Sequence, residues 1–230
     1  MIVTKSKQVT NETLRMLKAK SMGERPMAEP LHASDVYACQ RKTVASRIFG
    51  TPPKSRKDIE IMFPGYAIQE YCWGEEADGE VWEGMIYSVD GMTEDGAVLE
   101  MKTTGSYATY LNDPKVDWLE RTRAYCAIRG EVTGKPCTEA YITVYSFTSR
   151  QFVEWHVEYT EKELAKELKW LRKRIPELQK FIKQGKLPPV TTRRYDWECM
   201  YCPFYNHESV DCKPLLKLAG MTKTVKKDKK

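Results

Sequence analysis

The sequence predicts an α/β protein with a mixed sheet, and two observations predict it. Four segments alternate polar and apolar residues with a period of two, which is typical of strands. These segments are 80–90, 97–104, 140–147 and 151–160. Other segments carry apolar residues at helical spacing. These are 31–49, 58–73, 116–129 and 160–184. Because helices lie before, between and after the strand pairs, we expect helices to flank a central sheet.

Length and composition exclude several classes of protein. The 230 residues suit one domain with appendages. A hydrophobic fraction of 41% and a charged fraction of 30% exclude a collagen-like or wholly disordered chain. No apolar run approaches the roughly 18 residues that cross a bilayer. The first 20 residues lack the apolar centre of a secretory signal, so we expect a cytoplasmic protein with no membrane partner.

The positive charge is unevenly placed along the chain. The net charge is +5, of which the five lysines of 223–230, opposed by Asp228, contribute +4 and leave +1 for the rest. A second basic cluster lies near the N-terminus. Its members are Arg41, Lys42, Arg47, Lys54, Arg56 and Lys57. Charge alone leaves open whether this cluster is a solvated surface or a strip that follows a phosphate backbone.

Local signals set the expected boundaries of the elements. Ser34 is the expected N-cap of the helix over 31–49, and the turn 91–96 is expected to join two strands as a hairpin. A capping box of Thr160 and Glu163 opens the last helix. That helix is expected to end near Gln184, before a Gly185 C-cap, and to bend at Pro176. Its apolar residues form one stripe, predicted to lie in the core: Leu164, Leu168, Leu171, Ile175, Leu178 and Ile182.

The strand 97–104 carries a candidate catalytic pair. Glu100 and Lys102 are two residues apart, so their side chains share one face of the strand. If residue 88 pairs with 100 and residue 90 with 98, Asp90 lies diagonal to Glu100 on that face and Tyr87 points away. Carboxylates bind hard divalent cations, and an ammonium can orient water or offset charge on a phosphate. The alternative is a salt-bridged surface pair.

The seven cysteines do not suggest a disulfide framework, because the number is odd and no secretory signal precedes them. Cys72, Cys126 and Cys137 lie among apolar residues and are predicted core thiols. Cys199 and Cys202 form a C-x2-C chelate that Cys212 follows, which leaves a four-ligand site one ligand short. Either His207 completes a zinc site, which the spacing favours, or Cys39 completes an iron–sulfur cluster and draws the N-terminal helix to the C-terminus.

Taken together, these segments resemble the PD-(D/E)XK nuclease superfamily. Within it they are most similar to the RecB-like iron–sulfur exonucleases associated with CRISPR adaptation, which include stand-alone phage and archaeal proteins. The resemblance covers roughly residues 31–212. It rests on five pieces in order, which are Ser34–Lys42, Gly65–Gln69, Asp90 with Glu100 and Lys102, Arg121–Tyr125, and Gly185–Pro188 ahead of the cysteines.

The resemblance implies a restriction-endonuclease-like core, a prokaryotic or viral source, and metal-dependent DNA cleavage, usually exonucleolytic on single strands. It also implies a 4Fe–4S cluster on Cys39, Cys199, Cys202 and Cys212. Five regions follow from it: a leader 1–30, a helix and basic loop 31–57, a nuclease core 58–190, a cluster region 191–220 and a basic tail 221–230.

The resemblance also assigns roles within the site. Asp90 and Glu100 would hold Mg2+ or Mn2+, and Lys102 would position the attacking water. Gln69 or Glu70 would complete the metal shell, and Tyr125 and Arg121 would contact the phosphate or orient Lys102. Arg41, Lys42 and Arg47 would guide the DNA strand.

The sequence departs from the family pattern at four points. Gln69 replaces a histidine, Arg121 replaces a glutamine, and the spacing from Asp90 to Glu100 is shorter than in the most similar relatives, where Tyr87 would align. The final cysteine spacing, before Cys212, is longer than usual. The alternative function is therefore a catalytically degenerate protein that keeps the fold and the cluster. Such a protein would bind DNA ends or a partner in recombination or CRISPR adaptation.

Overall fold

The computed structural model describes residues 29–51, 60, 62–65, 67–68, 71, 79–189, 198–199, 202–204 and 210. The chain divides into two compact units. The first unit comprises Met1–Glu24, Pro30–Ala33 and Pro53–Ile175, and the second comprises Arg25–Glu29, Ser34–Pro52 and Pro176–Lys230. Within the described ranges, none of the helices is long and apolar enough to span a bilayer.

The described elements form a mixed α/β fold, as the sequence predicts. In chain order they are β1 Leu31–His32, α1 Ala33–Tyr37, α2 Gln40–Phe49, β2 Glu80–Trp82, β3 Met85–Tyr87, β4 Gly91–Met92, β5 Val98–Thr104, a 3-10 turn Ala108–Tyr110, α3 Val116–Thr133, β6 Glu139–Ser146, β7 Gln151–Glu158 and α4 Glu161–Gln184. The strands form a small sheet of order β1-β3-β2 and a larger one of order β4-β5-β6-β7. The larger sheet is mixed, because β5 and β6 are parallel and its other pairs are antiparallel.

The N-terminal segment differs from the single helix predicted over 31–49. Leu31 and His32 pair in parallel with β3, and two helices follow in place of one. Cys39 interrupts them, because its backbone leaves the helical region at φ −55° and ψ 123°. Ser34 lies inside α1 and is therefore not an N-cap. The pairing with β3 is a contact distant in the sequence, which local periodicity does not reveal.

The predicted strand over 80–90 is also wrong, because the chain reverses in its middle. Glu83 and Gly84 both have positive φ, 48° and 78°, as a two-residue hairpin turn requires. Trp82 consequently pairs with Met85 in the small sheet. A second hairpin joins β4 and β5, where the Thr93 N–H donates to the Ala97 carbonyl at 2.9 Å.

The register of the β4–β5 hairpin differs by two residues from the predicted one. Gly91 pairs with Leu99 and Met92 with Val98. A shift of two keeps the same residues on the same face, because side chains alternate with a period of two. Continued by one residue, this register places Asp90 opposite Glu100 instead of diagonal to it.

Helix α3 connects β5 to the parallel strand β6 and packs on one face of the larger sheet. Trp118 packs against Ile142 and Val144, which are both fully buried. In the ladder, Glu100 is the partner of Ile142 and Lys102 the partner of Val144. The candidate pair therefore lies on the same sheet face as this apolar cluster, beneath α3.

Helix α4 begins as the sequence predicts. The Glu163 N–H donates to Thr160 Oγ1 at 3.3 Å, and the Thr160 N–H donates to Glu163 Oε2 at 2.9 Å, which is the reciprocal pattern of a capping box. Gly185 ends the helix with φ 60°. The stripe is buried at Leu171, Ile175, Leu178 and Ile182, whereas Leu164 and Leu168 are half-buried.

Candidate active site

The structure brings Asp90, Glu100 and Lys102 together, and all three belong to the first unit. Strand β5 lies inside the larger sheet, and the Glu100 side chain is 2% exposed. Lys102 Nζ lies 2.5 Å from Glu100 Oε1 and 3.6 Å from Asp90 Oδ2. The Lys102 side chain is 22% exposed. Two carboxylates thus share one ammonium that solvent can still reach.

Asp90 is held in place by the backbone of β5. Its Oδ2 accepts a hydrogen bond from the Met101 N–H at 2.7 Å. Asp90 itself precedes β4, which begins at Gly91. This side-chain contact therefore holds the carboxylate beside the strand that carries Glu100.

The two carboxylates crowd one another electrostatically. Burial raises the pKa of Asp90, and the charge of Glu100 raises it further, while Lys102 and Arg121 lower it in part. Glu100 Oε1 is buried and lies in a close ion pair with the Lys102 ammonium. Two neighbouring carboxylates suit a site for a divalent cation, because carboxylate oxygens are the ligands that Mg2+ and Mn2+ prefer.

Helix α3 supplies two more side chains to the site. Arg121 Nη2 lies 3.7 Å from Glu100 Oε1. Tyr125 follows four residues later and so lies on the same helix face. It is 6% exposed, and burial followed by the charge of Glu100 raises the pKa of its hydroxyl. The Tyr125 hydroxyl is therefore neutral, and it is too buried to be an open contact surface.

Tyr87 belongs to the small sheet, away from the β4–β5 hairpin. Its hydroxyl donates to Glu80 Oε2 at 2.6 Å, and its ring centroid lies 6.5 Å from that of Tyr125. Sequence reasoning overlooked this contact, because it assigned Tyr87 to the wrong hairpin.

Gln69 and Glu70 lie outside the described residues. The helical residues 62–65 pack beside β5, since a β-carbon at Gly65 would lie 3.0 Å from Thr103 Oγ1. Because side chains alternate along a strand, this contact is made by a residue of the opposite parity to Glu100 and Lys102.

Two of the predicted DNA-contacting residues are used inside the second unit. The Arg47 side chain is 1% exposed and donates to Asp35 Oδ2 at 3.0 Å and to the Glu29 carbonyl at 3.1 Å. Arg41 is half-buried and donates to the carbonyls of Val210 and Pro188. The strip prediction is therefore wrong for Arg47, because a buried and paired guanidinium cannot reach a phosphate. Arg41 is committed to two carbonyls, and Lys42 is half-buried.

The second unit also brings Cys39 towards the C-terminal cysteines. The Cys39 N–H donates to Glu198 Oε1 at 2.9 Å, across 159 residues of chain. Burial, with smaller contributions from the charges of Glu198 and Cys202, raises the pKa of Cys39 to about 11. Cys39 therefore lies within electrostatic range of Cys202, while Cys199 is buried.

The cysteine ligand set stays a prediction. His207 and Cys212 lie outside the described residues. Among the residues that the structure describes, no group of three or more His, Cys, Asp or Glu side chains forms a metal site. Three other cysteines were predicted to be core thiols. Cys126 and Cys137 are buried as expected, and Cys72 falls outside the described ranges.

Comparisons with known proteins identify the fold. The structure matches that of SSO0001 with a TM-score of 0.56 and 13% identity, over 87% of this chain and 95% of that one. It also matches LHK-Exo in complex with dAMP, with a TM-score of 0.45 and 17% identity, over 74% of this chain and 95% of that one. The match to the alkaline exonuclease LHK-Exo from Laribacter hongkongensis has a TM-score of 0.41 and 16% identity, with the same coverage. No protein-family model and no curated protein matches the sequence. The chain thus shares a fold with SSO0001.

Proposed function

We propose that this protein is a divalent-metal-dependent deoxyribonuclease that hydrolyses phosphodiester bonds. One observation carries the proposal: Asp90, Glu100 and Lys102 converge in one partly buried site, with both carboxylates within 3.6 Å of the same ammonium. Two acids and an amine in this arrangement can bind a cation and act on a phosphate. The resemblance of the sequence to PD-(D/E)XK nucleases points to the same three residues.

Asp90 and Glu100 are the proposed metal ligands. The closeness of the two carboxylates, both within 3.6 Å of Lys102 Nζ, supports this assignment. A bound Mg2+ or Mn2+ would polarise the phosphate and stabilise the charge that develops on it. The sequence resemblance further implies that Gln69 or Glu70 would complete the metal shell.

Lys102 is the proposed catalytic cation. Its Nζ donates to the Met101 carbonyl at 2.8 Å, which anchors the side chain at the strand. Its partial exposure leaves donor capacity directed at solvent, where it can orient a water molecule and offset negative charge on the phosphate. A bond from the water oxygen to phosphorus forms as the bond to the leaving oxygen breaks.

Tyr125 is proposed to position Glu100 and not to touch the substrate, because its side chain is buried and its hydroxyl stays neutral. Arg121 is the better candidate for contact with the phosphate, since its side chain is 22% exposed. Only the sequence resemblance supports the finer parts of this function. These are an exonucleolytic mode, a preference for single strands or DNA ends, and a protein partner in recombination or CRISPR adaptation.

A nuclease assay with a matched pair of lysine variants tests the proposal. We expect the wild-type protein to degrade labelled single-stranded DNA with Mn2+, and EDTA to stop it. Lys102→Ala should reduce the rate at least about 100-fold, since it removes the only cation that contacts both carboxylates among the described residues. Lys135→Ala removes an exposed lysine from a turn and should cut at the wild-type rate. Equal rates for wild type and Lys102→Ala would show that the site is wrong.

One observation favours the alternative of a DNA-end-binding protein without cleavage. Lys102 and Arg121 already contact Glu100, so the site carries its own cations. If wild type and Lys102→Ala both bind DNA and neither cuts it, the binding function is correct.

We also propose that Cys39, Cys199, Cys202 and Cys212 hold a 4Fe–4S cluster. The contact of the Cys39 backbone with Glu198, next to Cys199, supports the participation of the distant cysteine. Protein purified without oxygen should be brown and contain iron, and Cys39→Ala should lose the colour. A colourless protein that contains zinc would favour the alternative site completed by His207.

A further inference from the structure

Arg121 is a permanent cation at the candidate metal site. A guanidinium stays protonated in proteins, and its Nη2 lies 3.7 Å from Glu100 Oε1. Lys102 Nζ approaches the same oxygen at 2.5 Å. Two protein cations therefore converge on one oxygen of Glu100, one from strand β5 and the other from helix α3.

The two protein cations offset the negative charges of the two carboxylates. Asp90 and Glu100 bring two negative charges, and Lys102 and Arg121 bring two positive ones. Asp117 adds a further negative charge, at the half-exposed start of α3 within electrostatic range of Arg121. One divalent ion can be accommodated by two carboxylates. A second ion about 4 Å from the first, as in two-metal sites, would have to share the carboxylates with both protein cations.

We propose that Arg121 takes the place of a second metal ion, so that the site binds one divalent cation and binds it weakly. The inference rests on the proposed function, because it requires Asp90 and Glu100 to be metal ligands. In this role Arg121 determines how many divalent ions the site binds. The family that the sequence resembles carries a glutamine at this position, which is neutral and has no charge to take the place of a metal ion.

Direct measurement of Mn2+ binding tests the inference without reference to cleavage. Unbound Mn2+ is followed by electron paramagnetic resonance during titration of the full chain. We expect wild type to bind one Mn2+ that is lost in Glu100→Gln. Arg121→Gln should bind Mn2+ at least about tenfold more tightly, because even a water-screened unit charge a few ångström from a divalent ion costs about that much. It should also acquire a second Mn2+.

Two further variants serve as controls. Arg121→Lys keeps the charge and should retain a single Mn2+. Arg123→Gln removes an equal charge two residues along α3, where the Arg123 Nε contacts Glu167 Oε2 at 2.5 Å. It should bind Mn2+ as wild type does.

Two results overturn the inference: wild type that binds two Mn2+, both lost in Glu100→Gln, or a folded Arg121→Gln with unchanged affinity. If Arg121→Gln fails to fold, the wild-type stoichiometry alone decides. Wild type that binds no Mn2+ dependent on Glu100 would instead contradict the proposed metal-dependent function, which is a distinguishable failure.

Discussion

Two buried charge clusters of this protein differ in whether like charges lie side by side. Arg47 lies in the second unit with a 3.0 Å hydrogen bond to Asp35 and a 3.1 Å bond to the Glu29 carbonyl. Glu100 lies in the first unit, equally buried, and two cations approach one of its oxygens. Burial and then the charge of Glu100 raise the pKa of the neighbouring Asp90. The first arrangement pairs a cation with its acceptors, whereas the second places two carboxylates side by side. Burial of a charged residue therefore does not by itself distinguish a candidate site, but crowding of like charges does.

The strongest test of this comparison replaces Glu100. Glu100→Gln keeps the shape of the side chain and removes the charge, so we expect DNA cleavage with Mn2+ to fall by about 100- to 1,000-fold. The folded structure should persist, since the repulsion with Asp90 also disappears. The measurement is the cleavage rate together with a circular dichroism melt. A variant that cuts normally would contradict the assignment of Glu100 as a ligand.

The opposite result is expected when Arg47 is replaced. Arg47→Met leaves Asp35 partly buried without its guanidinium, so the free energy of unfolding should fall by about 3 kcal/mol, as measured by urea denaturation. The cleavage rate of the fraction that remains folded should be unchanged, because Asp35 and Glu29, the partners of Arg47 among the described residues, are not members of the candidate site. A large loss of specific activity in folded protein would show that Arg47 acts in function after all.

The smallest expected effect concerns a carboxylate that is fully paired at the surface. Glu163 accepts hydrogen bonds from the Thr160 N–H and hydroxyl, which lower its pKa. Thr160→Ala removes the N-cap of α4 and should cost about 1 kcal/mol of unfolding free energy. Thr160→Ser keeps the hydroxyl and should restore most of it. Equal midpoints for the two variants in urea would show that the cap contributes nothing.

The candidate site was largely predictable because strand periodicity is local. The shared face of Glu100 and Lys102 follows from their spacing of two, and Asp90 stays on that face despite the two-residue error in register because that shift is even. The long helix from Glu161 was equally predictable, since its capping box and its apolar stripe both consist of residues that lie close together in the sequence. The assignment of Arg47 to a DNA-guiding strip failed, because sequence cannot show that Asp35 and Glu29 surround it.

The turn positions were harder to predict. Both Glu83-Gly84 and the segment 91–96 carry turn signals, and the antiparallel pairing of β2 with β3 shows that the chain uses the first of them as well. This pairing places Tyr87 opposite Glu80 in the small sheet, where its ring lies near that of Tyr125.

By itself, the sequence determined which residues are candidates for chemistry and which side chains share a face, because helix and strand periods depend only on neighbours along the chain. Only the tertiary structure decided which charges meet. Arg121 reaches Glu100, and Cys39 reaches Glu198, because α3 crosses the sheet face and because the start of α2 packs beside a segment 159 residues away. Such contacts depend on packing between distant segments, which no local pattern encodes.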